Sequence, residues 1–173
     1  AYYGYLKGAP AKYVIRSDSP FPLYVNILVP AIKDTTLDFS AGISKDGKLL
    51  ALLDGTRYKW NKFYEEFGGD DYFMGPEYSK DVPAGNYEIA VYNPGNSGKY
   101  VLAIGEKESF TAGEIARTLL VLPRLKLYFN KSPLTAYFNR IGLFMAPIIL
   151  ILLAVILALI IWLRMRLGLP GQG

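Results

Sequence analysis

The chain contains no cysteine and no histidine in its 173 residues. The first absence excludes a disulfide framework, a thiolate zinc centre and a cysteine nucleophile. The second excludes a Ser-His-Asp triad and any histidine-ligated haem, copper or zinc. No Gly-x-x-x-x-Gly-Lys-Ser/Thr loop, Gly-x-Gly-x-x-Gly turn or Gly-x-Ser-x-Gly elbow is present, so phosphate cradles and nucleophile elbows are not signalled. Acidic charge is missing from one end, with no Asp or Glu after Glu114. What is abundant is apolar: 51% of residues are hydrophobic and fourteen are Tyr, while 20% are charged. That composition excludes intrinsic disorder.

The charge divides the chain. Residues 1–110 hold 12 Lys/Arg against 14 Asp/Glu, whereas residues 111–173 hold 7 Lys/Arg against Glu114 alone. The overall charge of +4 thus belongs to the tail. Its cations crowd beside an apolar run and do not make a basic face on a folded domain, which argues against nucleic acid as a partner.

That run, Ile141–Leu163, carries no charge over 23 residues, 16 of them Leu, Ile, Val or Phe. As a helix it measures roughly 34 Å, enough for a hydrocarbon core of about 30 Å. A buried core helix seldom runs so long without a polar residue, so the pattern predicts one transmembrane helix. Ser132-Pro133 reads as an N-cap with proline at the first helical position, giving a span over 132–166 and a short tail over 167–173. Tyr137 and Phe138 fall near one interface and Trp162 near the other, with Arg140, Arg164 and Arg166 as basic anchors. The run has no ionisable, amide or hydroxyl side chain, hence no proton relay or cofactor ligand. Gly142 and Ala146, then Ala154 and Ala158, are small residues spaced by four, a spacing that lets another helix approach.

Residues 111–131 form a basic, amphipathic connector. Thr111-Ala-Gly-Glu114 has capping-box form, and Ile115, Leu119 and Leu122 follow at helical spacing until Pro123 is expected to stop the turn. Arg124, Lys126 and Lys131 alternate with large apolar groups. One reading lays this segment along the bilayer, its cations at anionic headgroups, or against a partner subunit. The other packs it as a short helix on its own domain.

Residues 1–110 read as an all-β sandwich of the jelly-roll or immunoglobulin-like kind. Leu23–Val29 alternates, with Leu23, Val25, Ile27 and Val29 on one face. Tyr13–Arg16, Leu37–Ser44, Lys48–Leu53 and Tyr72–Met74 are shorter candidates. Asn86–Tyr92 and Lys99–Ile104 flank Asn93-Pro-Gly-Asn-Ser-Gly98, a stretch dense in turn formers that predicts a hairpin. Many short strands with regular Asp-Gly and Gly-Gly punctuation indicate a sandwich.

Val82-Pro-Ala-Gly-Asn-Tyr-Glu-Ile-Ala-Val-Tyr92, followed by Gly98-Lys-Tyr-Val-Leu-Ala-Ile104, resembles the closing hairpin of bacterial pre-peptidase C-terminal (PPC-like) domains. The resemblance covers about residues 82–104. It implies a jelly-roll-like accessory domain of secreted proteins, itself no catalyst, and carries no calcium site with it. It therefore implies a periplasmic or extracellular domain with a cytoplasmic C-terminus; an N-terminal Ala1 fits a chain cleaved after a signal peptide and equally a cytosolic chain whose Met was trimmed. The positive-inside count points the other way. Arg124, Lys126, Lys131 and Arg140 precede the run and only Arg164 and Arg166 follow it, which favours a tail-anchored protein with a cytoplasmic domain.

The one local acidic constellation is Tyr64–Tyr72. Glu65, Glu66, Asp70 and Asp71 around a Gly-Gly bend are candidate calcium ligands, since that cation takes several oxygens on a flexible loop; solvated or ion-paired carboxylates are the alternative. No other cofactor is signalled. Two functions follow. One is a non-catalytic, single-pass accessory subunit whose partners are integral membrane proteins. The other is a membrane-tethered module binding glycan or peptide, with Trp60 in a stacking platform.

Overall fold

The computed structural model describes residues 1–66, 69–105, 121–137 and 140–167. Nine strands come first: β1 (Tyr2–Lys7), β2 (Ala11–Ser17), β3 (Phe21–Pro30), β4 (Ser40–Lys45), β5 (Lys48–Leu53), β6 (Asn61–Glu65), β7 (Asp70–Val82), β8 (Gly85–Tyr92) and β9 (Ser97–Ile104). A helix, α1, is described over residues 121–128. A single 3-10 turn, Pro133–Ala136, leads to a long helix, α2 (Arg140–Leu167).

The strands form two antiparallel sheets, ordered β1-β9-β3-β7-β6 and β2-β8-β4-β5. Alternation decides what each sheet buries. Leu23, Val25, Ile27 and Val29 of β3 and Leu102 of β9 meet Ile43 of β4 and Tyr87, Ile89 and Val91 of β8 in one core. Period-2 patterning puts such residues on a common face, so both sheets turn their apolar faces to the same interior. The β4–β5 hairpin turns on Asp46 and Gly47, both at positive φ, as a tight hairpin with right-handed twist requires.

The expected hairpin between Asn86–Tyr92 and Lys99–Ile104 does not form. β8 pairs with β2 and β4, whereas β9 pairs with β1 and β3. The stretch Asn93–Asn96 carries the chain from one sheet to the other, and the strands that bear the PPC-like resemblance face each other across the core. The reason lies in their side chains. Tyr87, Ile89 and Val91 are buried on β8, and Tyr100 and Leu102 on β9; strands so apolar on one face are best covered by opposing layers. Asn93 braces the crossing. Its side-chain amide donates to Ser97 O at 2.9 Å and to Asp38 Oδ1 at 3.1 Å, and its Oδ1 accepts from Ser97 N at 3.0 Å.

β1 and β6 have no counterpart among the predicted strands, and β7 is 13 residues long where Tyr72–Met74 alone was expected. β1 is short on aliphatic residues, but Gly4 lies opposite Tyr100 and the tyrosine ring occupies the space a Cβ would take, its Cζ 2.2 Å from that position.

Candidate functional site

β3 is buried without interruption from Val25 to Pro30, which a strand covered on one face only would not be. The second cover is α1. The expected stop at Pro123 does not occur: the backbone stays helical over residues 121–128. Leu122, Lys126 and Phe129, at helical spacing, are all buried. Phe129 packs with Leu28 of β3, Tyr72 of β7 and Val101 of β9, on the face of the five-stranded sheet away from the core. Its ring lies edge-on to Tyr128 at 5.1 Å, Tyr3 at 5.7 Å and Tyr72 at 6.2 Å, separations at which aromatic pairs attract.

The helix ends in a cap that shapes the site. Asn130 has φ of 56°, its N–H donates to Leu127 O at 2.9 Å, and the N–H of Lys131 donates to Lys126 O at 2.8 Å. This is the Schellman arrangement, with asparagine in the left-handed position usually held by glycine. It folds Lys131 back beside Lys126, and both Nζ atoms reach Asp70 Oδ1 at 2.8 Å. Lys126 also donates to Gly69 O at 3.3 Å. Lys126 is 1% exposed and Asp70 5%, so this pair is almost out of water, with Lys131 partly exposed beside it. Nearby, Lys99 donates to Tyr128 O and Asn130 Oδ1, with its ammonium 5.1 Å from the Tyr128 ring centroid. The C-terminal turn of the connector is thus fastened to the sheet by an aromatic nest and an ion cluster side by side.

Burial shows in the tyrosines. Desolvation pushes the Tyr72 hydroxyl well above the ordinary tyrosine range, and Tyr3, Asp70 and Glu65 add to it. Desolvation raises Tyr128 likewise, with Tyr13 and Tyr5 contributing. Tyr100 is raised by desolvation and by its hydrogen bond with Tyr13, the two oxygens lying 2.7 Å apart.

The structure redistributes the sequence-predicted residues. Lys126 and Lys131 are not set at headgroups; they are turned inward to Asp70. The acidic quartet is divided among different partners. Asp70 is taken by two ammonium groups, Asp71 pairs with Lys62 at 3.2 Å, Glu65 closes β6 and Glu66 follows it at the surface. Among the described residues no three of His, Cys, Asp or Glu gather as metal ligands; Phe67 and Gly68 of that loop lie outside them. Two lysines already hold the Asp70 oxygen that a calcium ion would need. Trp60, the residue of the stacking-platform reading, is partly taken up by the fold. It is half-buried against the core, its Nε1 donates to Gly55 O at 2.9 Å, and its ring fills the space above Gly75.

Ser132-Pro133 opens the 3-10 turn, and the long helix starts at Arg140. Within it, Ala146–Arg166 is long and apolar enough to cross a membrane, and none of it is buried against the rest of the chain. Gly142, Ala146, Ala154 and Ala158 all fall on this helix, as do Arg140, Trp162, Arg164 and Arg166. The Arg166 guanidinium sits 5.3 Å from the Trp162 ring centroid. Arg124 and Tyr137 are exposed ahead of it, and Phe138 lies outside the described residues.

Phe129 and the partner of Lys126 were not read from the sequence. The signal was the 122, 126, 129 spacing, obscured because a lysine stands in the middle of an otherwise apolar face.

No family model matches the chain, and no curated protein matches it. A solved structure, the β-glucosidase of Kluyveromyces marxianus, aligns over 66% of this chain and 12% of its own length at 15% identity. The TM-score is 0.28, too low to carry an argument about fold or function.

Proposed function

We propose that the chain is a non-catalytic, single-pass membrane protein that serves as an accessory subunit of a larger membrane complex. In this reading the two sheets are the layers of a β-sandwich, α2 is its membrane anchor, and α1 is a mount that fixes the one to the other. The observation that carries the reading is α2. A helix of 28 residues with no ionisable, amide or hydroxyl side chain from Ile141 to Leu163 has nothing to contribute but anchoring and packing. The fastening of α1 supports it further, since a connector held on the sheet by an ion cluster suits a fixed position more than a flexible tether.

The sheets are assigned to the extracytoplasmic side, as an accessory domain of a secreted type. Protease treatment of intact cells tests that side: loss of residues 1–105 before lysis agrees with it, and protection until lysis reverses it. Purification of the full chain in mild detergent followed by mass spectrometry tests the subunit reading. Stoichiometric integral membrane proteins are expected, and a lone monomer that retains a polysaccharide or peptide would overturn it.

A further inference from the structure

α1 is amphipathic the wrong way round for a helix in water. Its charged Lys126 is 1% exposed, while Val121 is 52% exposed and Leu127 58%. Tyr128 is also exposed, and Leu134 in the following 3-10 turn reaches 71%. At 100° per residue, Val121, Arg124, Leu127 and Tyr128 fall on one arc, opposite the face formed by Leu122, Lys126 and Phe129. The outward arc therefore holds three large apolar or aromatic groups and one arginine. Apolar groups turned outward beside an inward lysine mark a surface whose other side is not bulk water.

We infer that this outward face of α1, together with Leu134 and Tyr137, rests in the headgroup region of the bilayer that α2 enters. Three observations choose lipid as the occupant. The first is continuity, because only five residues separate Leu134 from Arg140, so the turn cannot lie more than about 20 Å along the chain from the start of α2. The second is charge: no Asp or Glu follows Glu114, and Arg124 stands alone among the leucines, a pattern that suits phosphate-bearing headgroups. The third is residue type, since exposed Tyr128 and Tyr137 are side chains that settle at membrane interfaces. One reading of the sequence put the connector's cations at the lipid; here its outward apolar groups face it, and Lys126 and Lys131 hold the sheet from behind. The five-stranded sheet would then lie over the bilayer with α1 between them as a half-immersed layer, its apolar side chains about 5–10 Å into the headgroup boundary.

The inference rests on α2 being a membrane anchor and needs no partner subunit. Because the chain has no cysteine, single-cysteine variants of the full chain report one site each. L127C, L134C, V14C and L153C would each carry an environment-sensitive fluorophore, in vesicles of phosphatidylcholine and phosphatidylglycerol, with nitroxide lipids as shallow or deep quenchers. The expected result is a blue-shifted signal at 127 and 134, quenched most by the shallow nitroxide. Position 153 should be quenched by the deep one, and position 14, exposed on the four-stranded sheet, by neither. Aqueous signals at 127 and 134 with a lipid-quenched 153 would overturn the inference and leave the anchor intact. Blue-shifted but unquenched signals there would overturn it in favour of a protein covering the face. An unquenched 153 would remove the anchor, and the inference with it.

Discussion

The N–H of Lys131 returns to the carbonyl oxygen of Lys126 at 2.8 Å, and this one backbone turn delivers two ammonium groups to a single oxygen of Asp70. One buried and one partly exposed cation on a single buried anion make the anion the keystone. Asp70→Asn keeps the shape but leaves both ammonium groups without a counter-charge, a change that costs about 3–5 kcal/mol in buried clusters. Lys126→Met keeps the aliphatic stem and leaves an intact Lys131–Asp70 pair, so it is expected to cost less than about 1.5 kcal/mol. Denaturant unfolding of the full chain in mild detergent orders the two. Equal losses would mean that the cluster is not organised around Asp70.

Phe129 is wholly buried although it lies beyond the last described turn of α1. Phe129→Ala should destabilise the fold by about 3–5 kcal/mol, the usual range for a large aromatic lost from a tight site. The effect should be local before it is global. Amide exchange over residues 121–131 is expected to accelerate strongly, while β3 and β8 retain their protection, because the core between the sheets contains no residue of α1. Equal acceleration in β8 would show that α1 is part of the central folding unit.

Much of this architecture is legible in the residues, and the illegible part has a common cause. β3 and β8 stand out because their apolar residues alternate, and β5 because its apolar run is bounded by Asp-Gly on both sides. β1 does not, since beside the buried Leu6 its next inward position is a glycine under the ring of Tyr100, a pairing that exists only once β9 is laid beside it. The β8–β9 connection was misread because a turn-forming sequence fixes a reversal of the chain but not the sheet to which the chain returns. The apolar helix was the plainest feature of all, needing no tertiary partner to declare itself. The ion cluster was hidden for the opposite reason. Asp70 and Lys131 are 61 residues apart, and a lysine in a helix facing a sheet is read as solvated until its carboxylate is found.

Alkali should unfold the sheets through their tyrosines. Tyr72, Tyr100 and Tyr128 ionise in the fold only at pH values above their ordinary one, chiefly because burial disfavours the phenolate. In the unfolded chain they ionise near pH 10. Their contribution is therefore complete below about pH 10 and declines as the pH rises past it toward the folded values, since the unfolded chain then binds fewer protons than the native one. Tm followed by circular dichroism is expected to be flat from neutrality to about pH 9 and to fall beyond 10. In a Tyr72→Phe/Tyr128→Phe variant the fall should be shallower. A variant with the same alkaline slope would mean that Tyr72 and Tyr128 do not carry the loss.

Gly4 and Tyr100 provide a test of the sheet edge that is independent of the membrane. A Cβ on residue 4 would stand 2.2 Å from Tyr100 Cζ and 2.5 Å from its hydroxyl oxygen. The ring cannot swing away easily, being 1% exposed, packed 5.6 Å from Phe39 and hydrogen-bonded to Tyr13. Gly4→Ala should therefore cost about 1–3 kcal/mol, the range for overpacking a well-filled site, despite the better strand propensity of alanine over glycine. Tyr100→Leu is destabilising too, through lost ring contacts and an orphaned Tyr13 hydroxyl, but it vacates the space an alanine at position 4 would need. The double variant should consequently be more stable than the sum of the single losses by about 1 kcal/mol or more, a coupling that contacting residues show and distant ones do not. Strict additivity would mean that the edge strand yields to the new methyl group by moving away from β9, and that β1 is held by its backbone ladder and not by the ring laid across it.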